Sequence, residues 1–408
     1  MQLDKNRQVF FELLRAGLFP VYGEGFMVND SLFKDVDWGK VYQLAREQSV
    51  QGIVLQGIEA VLGSSQSSGA SGAWLKVHGS PLVSKTLLLQ WIGEVQMIEQ
   101  RNKEMNAFIA NLIEKLRKSD VYAILVKGQG IAQCYERPLW RSSGDVDLLL
   151  SDSNYQKASK SLRDKVSSIG KENPYKKHLA LIVDEWKIEL HGTLRGSITR
   201  IDRVIDEVQN DVFYSGYVRS WMNGKTQVLL PRADEDVFFV FTHILKHFYF
   251  EGIGLRQICD WCRLLYTYKD SLNYRLLESR IRKAGIMTEW KAFGAFAVEY
   301  LGMPAKAMPF LNSLNVQNFK KFKRKADKIL EFVMESGNFG HNRDLSYKQK
   351  YPFVIRYAMS FWLYTKLSMQ RFVISPRNDI MAWWAIVKIG ANAAAKAIFI
   401  FSPRPGRT

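Results

Sequence analysis

Between two long helical stretches lies one short segment, residues 120 to 192, whose pattern is that of a sheet, and this limits the choice of fold most. VYAILVKG (121–128) is an apolar run ending in glycine and reads as a buried strand entering a turn. GDVDLLL (144–150) is a second strand, acidic at its start and apolar after it. Residues 155–167 read as a helix, and LALIVDEWKIELHG (179–192) as a β-hairpin turning near Asp184 and Glu185. Strand, helix, strand, helix and two further strands make a mixed α/β unit of modest size, so the expected class is α+β.

The flanks carry helical spacing. Val9, Phe10, Leu13, Leu14 and Leu18 mark a helix over 1–18, and Val41, Leu44, Ile53, Val54, Leu55 and Ile58 mark another over 38–62. The Gly/Ser-rich stretch 62–73 reads as a flexible loop, and 82–118 as one long helix or two joined helices. From Arg232 onward the pattern is helical to the end. The expected layout is an N-terminal helical arm (1–119), an α/β core (120–231) and a helical C-terminal domain (232–408). With 47% hydrophobic and 13% aromatic residues in 408, large packed cores are available and overall disorder is excluded.

Asp145 and Asp147 stand two apart at the start of a strand, so their carboxylates project from one face. Two close carboxylates repel when both are ionised, and a divalent cation offsets that cost; hard oxygen ligands suit Mg²⁺ or Mn²⁺. Upstream, Lys127, Gly128, Gln129 and Gly130 form a strand-to-helix turn where backbone N–H groups can approach a phosphate chain. Glu189 lies among apolar residues on the later hairpin, where an unpaired carboxylate is expensive to bury.

Four features together resemble the bacterial "uncharacterised nucleotidyltransferase" family of the polymerase-β-like superfamily: the strand ending Lys127-Gly128, the stretch Tyr135-x-x-Pro138-x-x-Arg141, the run Gly144-Asp145-x-Asp147, and Glu189-Leu190-His191. Further likeness lies in His243-x-x-x-His247 and in Arg256 and Asp260, so that residues 85–265 are covered. The resemblance implies that Asp145, Asp147 and Glu189 hold metal, and that Lys127, Gly128, Arg141 and Gly144 contact nucleotide. It implies that His191, His243, His247, Arg256 and Asp260 line the cleft. The implied reaction moves a nucleotidyl group from an NTP to an acceptor: a small molecule, a sugar or lipid-linked compound, RNA or protein. The superfamily's usual turn is Gly-Ser, and Lys127-Gly128-Gln129 has no hydroxyl. That departure supports the alternative, an inactive nucleotide- or polyanion-binding scaffold.

Cys134, Cys259 and Cys262 are too few for a disulfide framework, and the N-terminus lacks the basic start and unbroken apolar run of a signal peptide, so a cytoplasmic protein is expected. His243, His247, Cys259 and Cys262 have the spacings of a zinc site, but they sit in helical, aromatic-rich sequence and zinc is not expected. Net charge is +17, and from Leu301 onward 18 Lys and Arg face 5 Asp and Glu, an excess of 13. This basic quarter suits an anionic membrane surface or RNA. Within it, the basic run 319–328 reads as an amphipathic surface helix. Residues 381–401 are too interrupted by Lys388, Asn392 and Lys396 to span a bilayer, and suit a helix lying at the inner membrane face.

Overall fold

The computed structural model describes residues 3–19, 30–63, 76–77, 80–81, 83–163, 166–170, 172–173, 177–311, 315–337 and 350–401. Nearly all of the expected Gly/Ser loop, and the basic tail 402–408, lie outside them.

The N-terminal apolar pattern builds α1 (Lys5–Leu18), α2 (Asp30–Phe33), α3 (Trp38–Glu47) and α4 (Gln51–Gly63). Asp4 and Asp37 cap α1 and α3 by accepting from the backbone N–H of Arg7 and Lys40. The expected helix over 38–62 is thus two helices, broken where Ser49 takes a φ of 55°. Helices α1 and α4 cross with their backbones in contact. A Cβ on Gly17 would stand 1.9 Å from the Ile53 carbonyl oxygen, and one on Gly57 would stand 1.8 Å from that of Leu13. Only glycine fits at that crossing.

After a two-stranded hairpin, β1 (Lys76–Val77) and β2 (Ser80–Pro81), residues 85–118 form a single helix, α5 (Lys85–Lys118). Its first half buries Leu88, Trp91 and Val95 in one core, and its second half buries Met105, Ile109, Leu112 and Leu116 in another. The second core underlies a seven-stranded sheet. Its strands are β3 (Ile124–Val126), β4 (Val146–Leu149), β5 (Ser168–Ile169), β6 (His178–Val183), β7 (Trp186–His191), β8 (Arg219–Asn223) and β9 (Thr226–Leu230), in the order β5-β6-β7-β4-β3-β9-β8. The β4–β7 and β3–β9 pairs are parallel and the others antiparallel. The β6–β7 turn falls on Asp184 and Glu185, both at positive φ. Among the connecting helices are α6 (Gly128–Ala132), α7 (Asp152–Leu162) and α8 (Thr199–Tyr214). The expected helix 155–167 starts earlier, at Asp152, with Ser151 before its first turn, and ends at its last apolar residue, Leu162.

The chain then turns helical: α9 (Ala233–Phe250), α10 (Leu255–Tyr268), α11 (Tyr274–Ala284), α12 (Met287–Leu301), α13 (Val316–Ser336), α14 (Phe353–Phe372) and α15 (Pro376–Phe401). The N-terminal helices share one core with α9 to α13. Polar ties support this packing: Arg15 Nε donates to the Tyr300 carbonyl at 3.0 Å, and Gln48 Oε1 accepts from Leu255 N at 2.9 Å. The basic run 319–328 lies on α13, with Phe319 and Phe322 against the core.

Candidate active site

Alternation along each strand decides which side chains share the sheet's open face. On β4, Val146 and Leu148 enter the core with α5 and α7, which sends Asp147 to the other side. On β7, Trp186, Ile188 and Leu190 enter that core, leaving Lys187, Glu189 and His191 opposite. Register then gathers them. Asp147 stands beside Glu189 across the parallel β4–β7 pair, and His178 beside His191 across β6–β7.

Against this face stand α9 and α10, around a cavity of about 570 Å³. Lys127, Gly128, Gly144, Asp145, Asp147 and Glu189 line one wall; Arg141, His243, His247, Arg256 and Asp260 line the other. A second cavity of about 280 Å³ adjoins it, sharing Lys127, His178, His243, Lys246 and Glu251, and is lined also by His191 and by Thr193 to Ser197.

Each carboxylate of the set has a cationic or imidazole partner. Lys127 Nζ donates to Asp147 Oδ1 at 2.9 Å, and His191 Nε2 lies 2.7 Å from the same oxygen. Lys187 bridges the other two, donating to Asp145 Oδ2 at 3.1 Å and also to Glu189 Oε1. Glu189 Oε2 is 3.1 Å from His178 Nε2 and 3.6 Å from His191 Nε2. Ligand atoms of His178, Glu189 and His191 all lie within 4.8 Å of one another.

These contacts set the charges. Burial pushes the Asp147 carboxyl up, but Lys127 and the His191 hydrogen bond outweigh it and hold its pKa at about 2. Glu189 behaves likewise: burial raises it, yet hydrogen bonds from His178 and Lys187 bring it far below the usual carboxylate range. Burial lowers Lys127, and Asp147 more than restores it, so the ammonium stays charged. His191 is lowered because burial outweighs the pull of Asp147. The strand-to-helix turn is strained, with Lys127 at φ 60°, ψ −150° and Gly128 at φ 45°. The helix that follows has only five residues, so its dipole is small.

Arg141 faces the cavity, but its guanidinium grips Asp260 through two hydrogen bonds of 2.6 Å, and the Tyr135 hydroxyl donates to the same carboxylate at 2.8 Å. The Tyr-x-x-Pro-x-x-Arg motif therefore ties the sheet's loop to α10. Asn102 of α5 holds this loop by donating to the carbonyls of Leu139 and Arg141, and Gln129 donates to Asn102. Arg256 donates to the Ser142 carbonyl at 2.9 Å, and burial together with nearby Arg141 lowers its pKa. On α9, His243 and His247 face each other, Nε2 to Nε2, at 2.9 Å. Cys259 and Cys262 are buried in the helical core, and burial pushes both thiols up.

Sequence reasoning missed Lys187 and Asn102 as parts of the site, and the bond from the Gln129 side chain to Asn102. Lys187 was within reach, since it stands two residues before Glu189 on one strand face. Asn102 gives no such signal, because its partners are a loop more than 35 residues away.

A family-wide sequence profile described as "Uncharacterised nucleotidyltransferase" matches residues 34–302, more than half of the chain. The match reaches further in both directions than the motifs at 85–265. No curated protein and no solved structure matches the chain. With most of its helical and sheet structure inside the matched span, the chain belongs to the uncharacterised nucleotidyltransferase family.

Proposed function

We propose that the protein is a metal-dependent nucleotidyltransferase that moves an NMP group from an NTP to an acceptor. The observation that carries this is the convergence of Asp145, Asp147 and Glu189 on one sheet face beside a cavity with room for a nucleotide. Three carboxylates and two lysines leave that face net negative before the histidines are counted, and its carboxylate oxygens are donors of the kind that fit Mg²⁺ or Mn²⁺. Asp145, Asp147 and Glu189 are the residues to hold it. Bound there, a divalent cation would supply charge neutralisation for the phosphates and activation of the acceptor hydroxyl.

This chain's residues would do the rest. The acceptor oxygen forms a bond to the α-phosphorus while the bond to the bridging oxygen breaks and pyrophosphate leaves. The acceptor's proton passes to the imidazole–carboxylate set of the same face. Lys127 and Lys187 would exchange a carboxylate partner for phosphate oxygens, and Gly144, where an added Cβ meets nothing within 4 Å, leaves the approach open. The smaller cavity is the natural acceptor subsite, since it reaches the same face from the His178 and His191 side. One observation favours the binding-only alternative: Lys127 and Lys187 already satisfy the carboxylates as cations would.

Thermal stability measured with each NTP and Mg²⁺ or Mn²⁺ tests the proposal. A ligand at about 100 times its dissociation constant adds about 2.7 kcal/mol. The expected result is metal-dependent stabilisation, lost in Asp145→Asn/Asp147→Asn. Stabilisation that needs no metal supports the binding-only reading, and none with any NTP overturns the transferase reading and leaves only a polyanion-binding scaffold.

A further inference from the structure

Of the 21 large hydrophobic side chains exposed among the described residues, ten lie between Tyr351 and Trp384, so bare apolar surface is concentrated on the α14–α15 hairpin. They follow helical spacing. On α14, Ile355, Met359, Trp362, Met369 and Phe372 form one stripe, with exposed Lys366 inside it. On α15, Ile380 and Trp384 continue between exposed Arg377 and Lys388. Trp362 and Met369 are each 71% exposed and Trp384 is 61% exposed, values at odds with a face that packs on the rest of the chain.

Charge indicates what covers this face. Between Tyr351 and Phe401 the one acidic residue is Asp379, which is buried and accepts from Arg371 at 3.0 Å. The hairpin therefore presents apolar and cationic groups together, with no carboxylate among them. A second copy laid on it would bring lysine against lysine. An anionic bilayer meets both demands: acyl chains take the aromatic stripe and headgroups take Lys366, Arg377 and Lys388. No helix among the described residues is long and apolar enough to cross a membrane, so the geometry is that of a hairpin lying in the interface. Between its helices runs an apolar groove of about 750 Å³, lined by Tyr357, Phe361, Tyr364, Ile386, Val387 and Phe250. Phe250 also lines the smaller cavity beside His178 and His191, so groove and candidate active site share a wall.

We propose that α14 and α15 dock the protein on an anionic bilayer, with Trp362, Met369 and Trp384 at the acyl boundary. The test is flotation of the full chain, without nucleotide, on phosphatidylcholine vesicles with and without phosphatidylserine. Binding should require phosphatidylserine and weaken with salt. Lys366→Ala/Lys388→Ala should weaken it about 25-fold, at about fivefold per lysine, and Trp362→Ser/Trp384→Ser should abolish it. All four side chains replaced in these variants are solvent-facing, so unchanged unfolding temperatures are the check on folding. A full chain that stays unbound, or variants that float like the parent, overturns the proposal. So does a concentration-dependent dimer that the tryptophan variant dissolves, which would make a second copy the occupant. Because no nucleotide is present, failure here leaves the transferase reading untouched.

Discussion

Replacing Asp260 by Asn should be among the most damaging single changes outside the carboxylate set. Asp260 and Arg141 meet in a two-pronged ion pair whose side chains are 7% and 5% exposed. Removing one partner of such a buried pair costs about 3–5 kcal/mol, because the other charge is left without compensation. Here the loss is compounded. Arg256, buried and already disfavoured in its charged form by Arg141, also faces Asp260 electrostatically, and the Tyr135 hydroxyl loses a charged acceptor. The expected cost is therefore about 4 kcal/mol or more, roughly a thousandfold in the folding equilibrium. Urea unfolding followed by tryptophan fluorescence measures it. Arg141→Met/Asp260→Leu, which removes both charges, should be less destabilised than Asp260→Asn alone. A loss below about 1 kcal/mol in Asp260→Asn, typical of exposed pairs, would refute the idea that this pair clamps the loop to α10.

Three further outcomes follow from the same geometry. Gly57→Ala normally gains helix stability, but here its Cβ meets the Leu13 carbonyl oxygen at 1.8 Å, so thermal unfolding should show a loss of about 3 kcal/mol; an unchanged melting temperature would contradict the crossing. His243 is pulled well below its ordinary value by burial and by Lys127, with Lys246, His247 and His191 also facing it. Its folded pKa is below its unfolded one, so its contribution is complete above about pH 6.5 and falls as pH drops, by up to about 1.4 kcal/mol per unit. His243→Asn should flatten that slope in urea titrations between neutral and acidic pH, and an equal slope in both proteins would count against it. Lys187→Met should tighten Mn²⁺ binding by about tenfold in calorimetry, since the ammonium that spans Asp145 and Glu189 then no longer competes; weaker binding would mean that Lys187 organises the site instead.

Much of the sheet was legible because local periodicity carries it. The acidic-then-apolar start of β4 and the hairpin at Asp184 and Glu185 are patterns within ten residues. The β8–β9 hairpin went unread, although Gly224-Lys225 between two alternating runs signals it, with Gly224 at φ 62° as the first residue of the two-residue turn. Strand order was out of reach, since β9 joins β3 across 105 positions of chain, as Ile124 pairs with Leu229. The same limit applies to side chains. Asp145, Asp147 and Glu189 could be picked from strand alternation and family motifs, whereas the destination of Arg141 depends on Asp260, 119 positions away. The Gly17–Gly57 crossing has no sequence signature beyond two glycines in apolar helices, where propensity alone argues against them.

The role proposed for Asp145, Asp147 and Glu189 is to hold a divalent cation against the phosphates of an NTP. The most direct measurement is anomalous diffraction from crystals grown with Mn²⁺ and a non-hydrolysable NTP analogue. Manganese should lie between those three carboxylates, with the analogue's phosphates beside it in the larger cavity. Nucleotide bound away from this face, or manganese confined to His178, Glu189 and His191 with no phosphate ligand, would contradict it.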